Sequence, residues 1–150
     1  MKSQSGVTFI ELFIVISILS LLATLAVSSY RDFDEQKKLD AEALRFSEVF
    51  EQAKKRTISG DKPCDTFAGT YTVGWTTSSY TLTPDGCSAV FTNTVMTGLT
   101  ILNSGSATFQ PFGRGATSSS VIVKHSKRNR CRNVVLTGAA TITNDPITCP

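Results

Sequence analysis

The chain has 150 residues, enough for one membrane helix and one small domain but not for two domains. Its 41% hydrophobic and 18% charged residues are ordinary for a folded protein, and the net charge of +3 is too small to define a partner by itself. The near-zero mean hydropathy of +0.02 conceals a division between an apolar beginning and a Thr/Ser-rich remainder. Charge is divided as well: from Pro63 onward there are six Lys/Arg against three Asp and no Glu.

Met1-Lys2-Ser3-Gln4-Ser5-Gly6 is short, polar and positively charged, and an apolar run follows at once. From Val7 to Val27 there are 21 residues, of which only Glu11 is charged. As a helix that stretch covers roughly 31 Å, about the hydrocarbon thickness of a bilayer. A carboxylate inside it costs about 2.5–3.5 kcal/mol on translocon scales, so Glu11 calls for a partner. A cleaved signal peptide is one reading, since Thr24-Leu25-Ala26 and Ala26-Val27-Ser28 loosely satisfy the small-x-small rule. That reading places Glu11 in the h-region, where it only weakens insertion. A plain anchor accounts for the length and leaves Glu11 unexplained.

Gly6-Val7-Thr8-Phe9-Ile10-Glu11-Leu12 resembles the class III leader and N-terminal helix of type IV pilins and type II secretion pseudopilins. The resemblance implies cleavage after Gly6 by a prepilin peptidase and methylation of the new N-terminal Val7. It also implies that Glu11 meets the amino terminus of a neighbouring subunit during filament assembly, so that two charges costly in apolar surroundings pair. Two departures stand out. Val7 replaces the commoner phenylalanine, and Ala26-Val27-Ser28-Ser29 lacks the proline usual late in the run, which predicts a straighter helix.

Beyond Tyr30, Leu39, Ala43, Phe46, Phe50 and Ala53 step by 4, 3, 4 and 3, marking one helix face. Arg31, Asp32, Glu35, Lys38, Glu42, Glu48, Glu51 and Lys55 mostly occupy the others, and the apolar stripe is expected to pack on a sheet. Ser59-Gly60-Asp61-Lys62-Pro63 ends the helix. Strands are predicted at 70–75, 79–83, 88–91, 95–102, 107–110, 120–124 and 133–137 from their β-branched and aromatic content, with turns at Pro84-Asp85-Gly86 and Pro111-Phe112-Gly113. The expected fold is α+β: a long N-terminal α-helix and a C-terminal antiparallel β-sheet domain arranged as a meander. The expected divisions are a leader at 1–6, a helix at 7–59 whose 7–27 is the membrane or filament core, and a β-rich head at 60–150.

Cys64, Cys87, Cys131 and Cys149 all follow the helix, and an even count outside the cytoplasm reads as two disulfides. The sequence-local pairing, Cys64–Cys87 and Cys131–Cys149, closes two compact loops and is the expected one of three connectivities. A zinc site is disfavoured, because the spacings are not CxxC and His125 is not placed to complete one.

The later half carries a second resemblance. Ala107-Thr108-Phe109-Gln110-Pro111-Phe112-Gly113, the strand Val121-Ile122-Val123, and Cys131-Arg132-Asn133-Val134-Val135-Leu136-Thr137-Gly138 are similar to the GspH/FimT group of minor pilins and pseudopilins. Some of that group bind DNA through arginines after the last glycine. Here Ala139-Ala140-Thr141-Ile142-Thr143 follows it, so those residues do not carry over. Lys124, Lys127, Arg128, Arg130 and Arg132 place five cations in nine residues of an expected hairpin, offering phosphate contact without an interleaved aromatic. The opposing reading is a solvated basic tip.

No catalytic constellation is present: His125 lacks an adjacent acid or nucleophile signature and is expected to be solvated, and Gly-x-Ser-x-Gly is missing. Asp61, Asp65, Asp85 and Asp145 are too scattered to suggest calcium, and no cofactor is expected. The expectation is a structural subunit, a minor pilin or pseudopilin of a type IV pilus or type II secretion pseudopilus. Its implied partners are other such subunits, the prepilin peptidase and the cytoplasmic (inner) membrane, which it spans once with the head outside. The alternative is a DNA-binding minor pilin of a competence pilus using 124–132.

Overall fold

The computed structural model describes residues 8–150, with the backbone alone at 25–29. The expected processing pair, Gly6 and Val7, lies outside the described residues. A single helix, α1, covers Phe9–Ser59, and the chain divides into two compact units, 1–36 and 37–150.

In the first unit Thr8 starts α1. Its carbonyl accepts from the Glu11 and Leu12 amides at 3.1 and 3.2 Å, and its hydroxyl oxygen lies 3.4 Å from the Glu11 amide. Thr-x-x-Glu is a capping sequence, and the acid in the first turn also suits the positive end of the helix dipole. Two hydroxyls of the apolar run are satisfied within the helix: Ser17 donates to the Phe13 carbonyl at 2.8 Å and Thr24 to that of Leu21 at 2.7 Å. The helical backbone is unbroken through 25–29, and the side chain of Ser28, where the resemblance leads one to expect proline, lies outside the described set.

The second unit contains two four-stranded antiparallel sheets in place of the single meander expected. One has the order β3-β2-β1-β5, from β1 (Tyr71–Trp75), β2 (Ser79–Pro84), β3 (Phe91–Thr94) and β5 (Gly105–Phe109). The other has the order β4-β6-β7-β8, from β4 (Leu99–Ile101), β6 (Ser119–His125), β7 (Cys131–Leu136) and β8 (Ile142–Ile147). The division follows from the pairing of β5 with β1 and of β4 with β6, contacts between strands distant in sequence. Two expected strands shorten and one strand is added. Residues 88–90 are not a strand, so β3 begins at Phe91; the 95–102 strand shrinks to β4; and β8 was not anticipated.

Both sheets turn one face inward, as their alternating burial shows. Leu39, Ala43, Phe46, Phe50 and Ala53 are all buried, joined by Val49, and pack in one core with Tyr71, Val73, Leu82, Phe109, Val121, Val134 and Leu136. Phe46 and Phe50 meet Trp75 edge-on with ring centroids 5.8 and 6.0 Å apart, and Phe46 lies 4.9 Å from Tyr80. Gly105 is required beside this cluster, since a Cβ there would stand 2.9 Å from the Trp75 ring. Beyond the helix end, the Tyr71 hydroxyl donates to the Asp61 carbonyl at 3.2 Å; burial and then the neighbouring Asp61 carboxylate push the Tyr71 phenol up.

The bridges are Cys64–Cys87 and Cys131–Cys149, closing loops with sequence separations of 23 and 18. The first holds the 64–70 segment to the turn after β2, and the second ties the C-terminus to β7. Each contributes roughly 2–4 kcal/mol by restricting the unfolded chain.

Candidate functional site

In the first unit the apolar side chains have no cover. Phe9 is 77% exposed, and Ile10, Leu12, Phe13, Ile14, Ile16, Ile18, Leu19, Leu21 and Leu22 are all at least half exposed. They surround the helix instead of forming one stripe, and a helix apolar on every side is stable only when something surrounds it. Phe9 and Phe13 stack along one side with centroids 5.6 Å apart and form, with Ile10, Ile14, Ser17 and Ile18, a shallow groove. Glu11 projects from this surface, exposed and in the first turn. Among the described residues, no helix is long and apolar enough to cross a membrane. The run of 21 residues read from the sequence extends at both ends into positions whose side chains lie outside that set.

The five cations near the β6–β7 hairpin are divided by their positions. Lys127, Arg128 and Arg130 are exposed at the tip, and Lys124 is half-buried on β6. Arg132 belongs elsewhere. Register pairs it with inward-facing Val123, so its guanidinium turns toward α1 and reaches Asp40, with Nε and a terminal nitrogen 2.8 and 2.7 Å from one carboxylate oxygen. This ion pair joins positions 92 residues apart in a half-buried setting, so Arg132 serves the fold and not an exposed basic patch.

Two further readings are corrected. His125 is not solvated: only 7% exposed, it ends β6 on the inward side after Val121 and Val123, and its Nδ1 accepts the Lys127 amide at 3.2 Å. Glu42 is not on an outer face: it is 1% exposed, with Oε2 accepting the Met96 amide at 3.4 Å and Oε1 without a hydrogen-bond partner. Burial, and next the Glu42 carboxylate, push the Tyr80 phenol up to about 12. Helical spacing held this signal, since Glu42 follows Leu39 by three and precedes Phe46 by four.

The loop that follows the 107–113 stretch meets the end of the 131–138 stretch in space. The Ala116 amide donates to the Gly138 carbonyl at 3.0 Å, and Gly115, at φ +104, approaches that carbonyl so closely that a Cβ would collide with it. Within the 107–113 stretch Phe112 stands 80% exposed at φ 57, a left-handed conformation unusual for a phenylalanine. No metal-holding group of His, Cys, Asp or Glu occurs among the described residues.

Two fimbrial proteins of Pseudomonas aeruginosa are similar to this chain, each 32% identical over 85 residues, or 53% of this chain and 53% of the relative. The chain thus spans about half the length of the curated relatives it matches. No family model matches the chain, and no solved structure does.

Proposed function

We propose that this protein is a filament subunit of the type IV pilin and pseudopilin class, assembled through the apolar half of α1. The observation that carries the reading is the helix from Phe9 to Leu22, exposed and apolar on all sides, in a chain similar to fimbrial proteins. Burying large apolar side chains is worth about 1.5–3 kcal/mol each, so this segment holds ample free energy for association. Before assembly the same segment, continued to Val27, spans the cytoplasmic membrane once; after assembly the helices of neighbouring subunits replace lipid. Cleavage between Gly6 and Val7 by the prepilin peptidase, with methylation of Val7, exposes the amino terminus that Glu11 of an adjacent subunit receives. The chain acts structurally, as a minor pilin or pseudopilin, and carries out no catalysis.

Glu11 has two roles to separate: it sits in the capping sequence of α1 and carries a charge. Glu11→Gln retains a side chain able to cap and removes the charge; Glu11→Ala removes both. Both variants should enter the membrane and fail to enter filaments, measured by sedimenting sheared filaments and blotting for the subunit. Normal incorporation of Glu11→Gln would reduce Glu11 to a capping residue and overturn the charge pairing. The DNA reading is the weaker one, because Arg132 is committed to Asp40.

A further inference from the structure

Each sheet ends in two strands whose outer edges carry main-chain donors and acceptors, and natural sheets usually blunt such edges. Three of the four are blunted here. β4 has only three residues. β8 carries Asp145 and Pro146. β5 is overlaid by the following loop, with the Gln110 amide on the Gly115 carbonyl and the Thr117 amide on that of Thr108, each at 2.9 Å. The fourth, β3, has the sequence Phe91-Thr92-Asn93-Thr94, with neither charge nor proline, and its last three residues are exposed.

The register identifies the free groups. The Val95 amide donates to the Ser78 carbonyl at 2.8 Å, and β3 continues opposite β2 as Asn93 to Tyr80 and Phe91 to Leu82. Alternation along an antiparallel ladder turns the main-chain groups of Asn93 and Phe91 toward β2 and those of Thr92 and Thr94 outward. The same pairing places the Phe91 and Asn93 side chains on the face of Leu82 and Tyr80, toward α1. There they border a cleft of about 600 Å³, walled on the opposite side by Arg45, Glu48 and Gln52.

We propose that this cleft receives an extended peptide segment of another protein chain, added to the sheet as a strand beside β3. Two outward amides and two outward carbonyls supply the ladder, and one row of the guest's side chains enters between β3 and α1. Arg45 and Glu48, both exposed and one helical turn apart, set the charge of that row. The guest carries one acid for Arg45 and one base for Glu48, with an uncharged residue beside Phe91. A polyanion such as nucleic acid does not suit a wall that bears one cation and one anion.

The test uses the full chain in detergent micelles, labelled with nitrogen-15, and a blocked peptide alternating valine and threonine with one aspartate and one lysine. Saturable shifts confined to the amides of 91–94 and 45–52 are expected. Thr92→Pro removes an outward donor while leaving the bonds to β2 intact, and should weaken binding at least tenfold. The double charge exchange Arg45→Glu with Glu48→Arg should invert the preference between this peptide and one with its charges exchanged, which guards against a fold defect in the proline variant. No shift up to about 1 mM peptide, equal binding by Thr92→Pro, or displacement of the peptide by single-stranded DNA would each overturn the proposal. So would self-association through β3 that excludes the peptide in sedimentation.

Discussion

The two halves of α1 face the same physical demand and meet it differently. Between Leu39 and Thr57 the helix is amphipathic, and the chain's own sheets cover its apolar stripe. Between Phe9 and Leu22 it is apolar on every side, and the described residues of the first unit cover none of it. The first arrangement is complete within the second unit; under the proposed function the second is completed by other molecules. On that reading folding stability and assembly are assigned to separate stretches of one helix, and substitutions in the two should produce different defects.

The largest separation is expected from two phenylalanines. Phe50 is fully buried against Trp75 and Phe109, so Phe50→Ala should destabilise the second unit by about 3–5 kcal/mol. Phe13, exposed in the first unit, should leave that stability unchanged when replaced by alanine and reduce filament incorporation instead. Thermal melting followed by near-ultraviolet circular dichroism of Trp75, the only tryptophan, reads the first effect. A loss of stability in Phe13→Ala comparable to that in Phe50→Ala would remove the distinction between the two stretches.

The same contrast governs the basic residues of the β6–β7 hairpin. Arg132→Ala leaves Asp40 half-buried and without its guanidinium, and should cost about 1–3 kcal/mol. By contrast Lys127→Ala, at the exposed tip of the same hairpin, should change stability by less than about 0.5 kcal/mol. Urea titration measures both. Equal values would mean that the Asp40 pair adds nothing to the fold.

Legibility in the sequence followed the range of the interactions involved. The helix stripe was readable because a 3.6-residue period is local, and β1, β2, β6 and β7 because β-branched runs are local too. The division into two sheets was not, since pairing β5 with β1 and β4 with β6 leaves no local trace. β8 was hidden by Asn144-Asp145-Pro146, which reads as a turn, although an edge strand tolerates proline. Arg132 looked like a member of a basic run, and only the register with Val123 turns it inward. His125 and Glu42 were misassigned although periods of 2 and 3.6 put them on buried faces; residue type was given more weight than position. The apolar run was legible as a helix because its composition is anomalous, whereas the cleft beside β3 depends on tertiary packing alone.

The smallest expected effect lies within the self-sufficient half, where α1 brings a carboxylate to Tyr80. Burial and the Glu42 carboxylate raise the Tyr80 phenol from its ordinary value of 10.0 to about 12, so the folded state holds this proton more tightly than the unfolded chain does. The stabilisation is fully present below pH 10 and declines as pH rises from about 10 toward 12. Tyr71, raised in the same direction, adds to the loss over the alkaline range. Tyr80→Phe removes the titrating group and should flatten the fall in melting temperature above pH 10. Glu42→Gln keeps the shape and removes the charge, so it should shift the onset of alkaline unfolding to higher pH by lowering the force on the Tyr80 proton. That expectation runs opposite to intuition, because the lower Tyr80 pKa narrows the gap between folded and unfolded chains and so makes alkali less damaging. An onset unchanged in both variants would place the alkaline sensitivity on Tyr71 and separate the helix end from the helix middle.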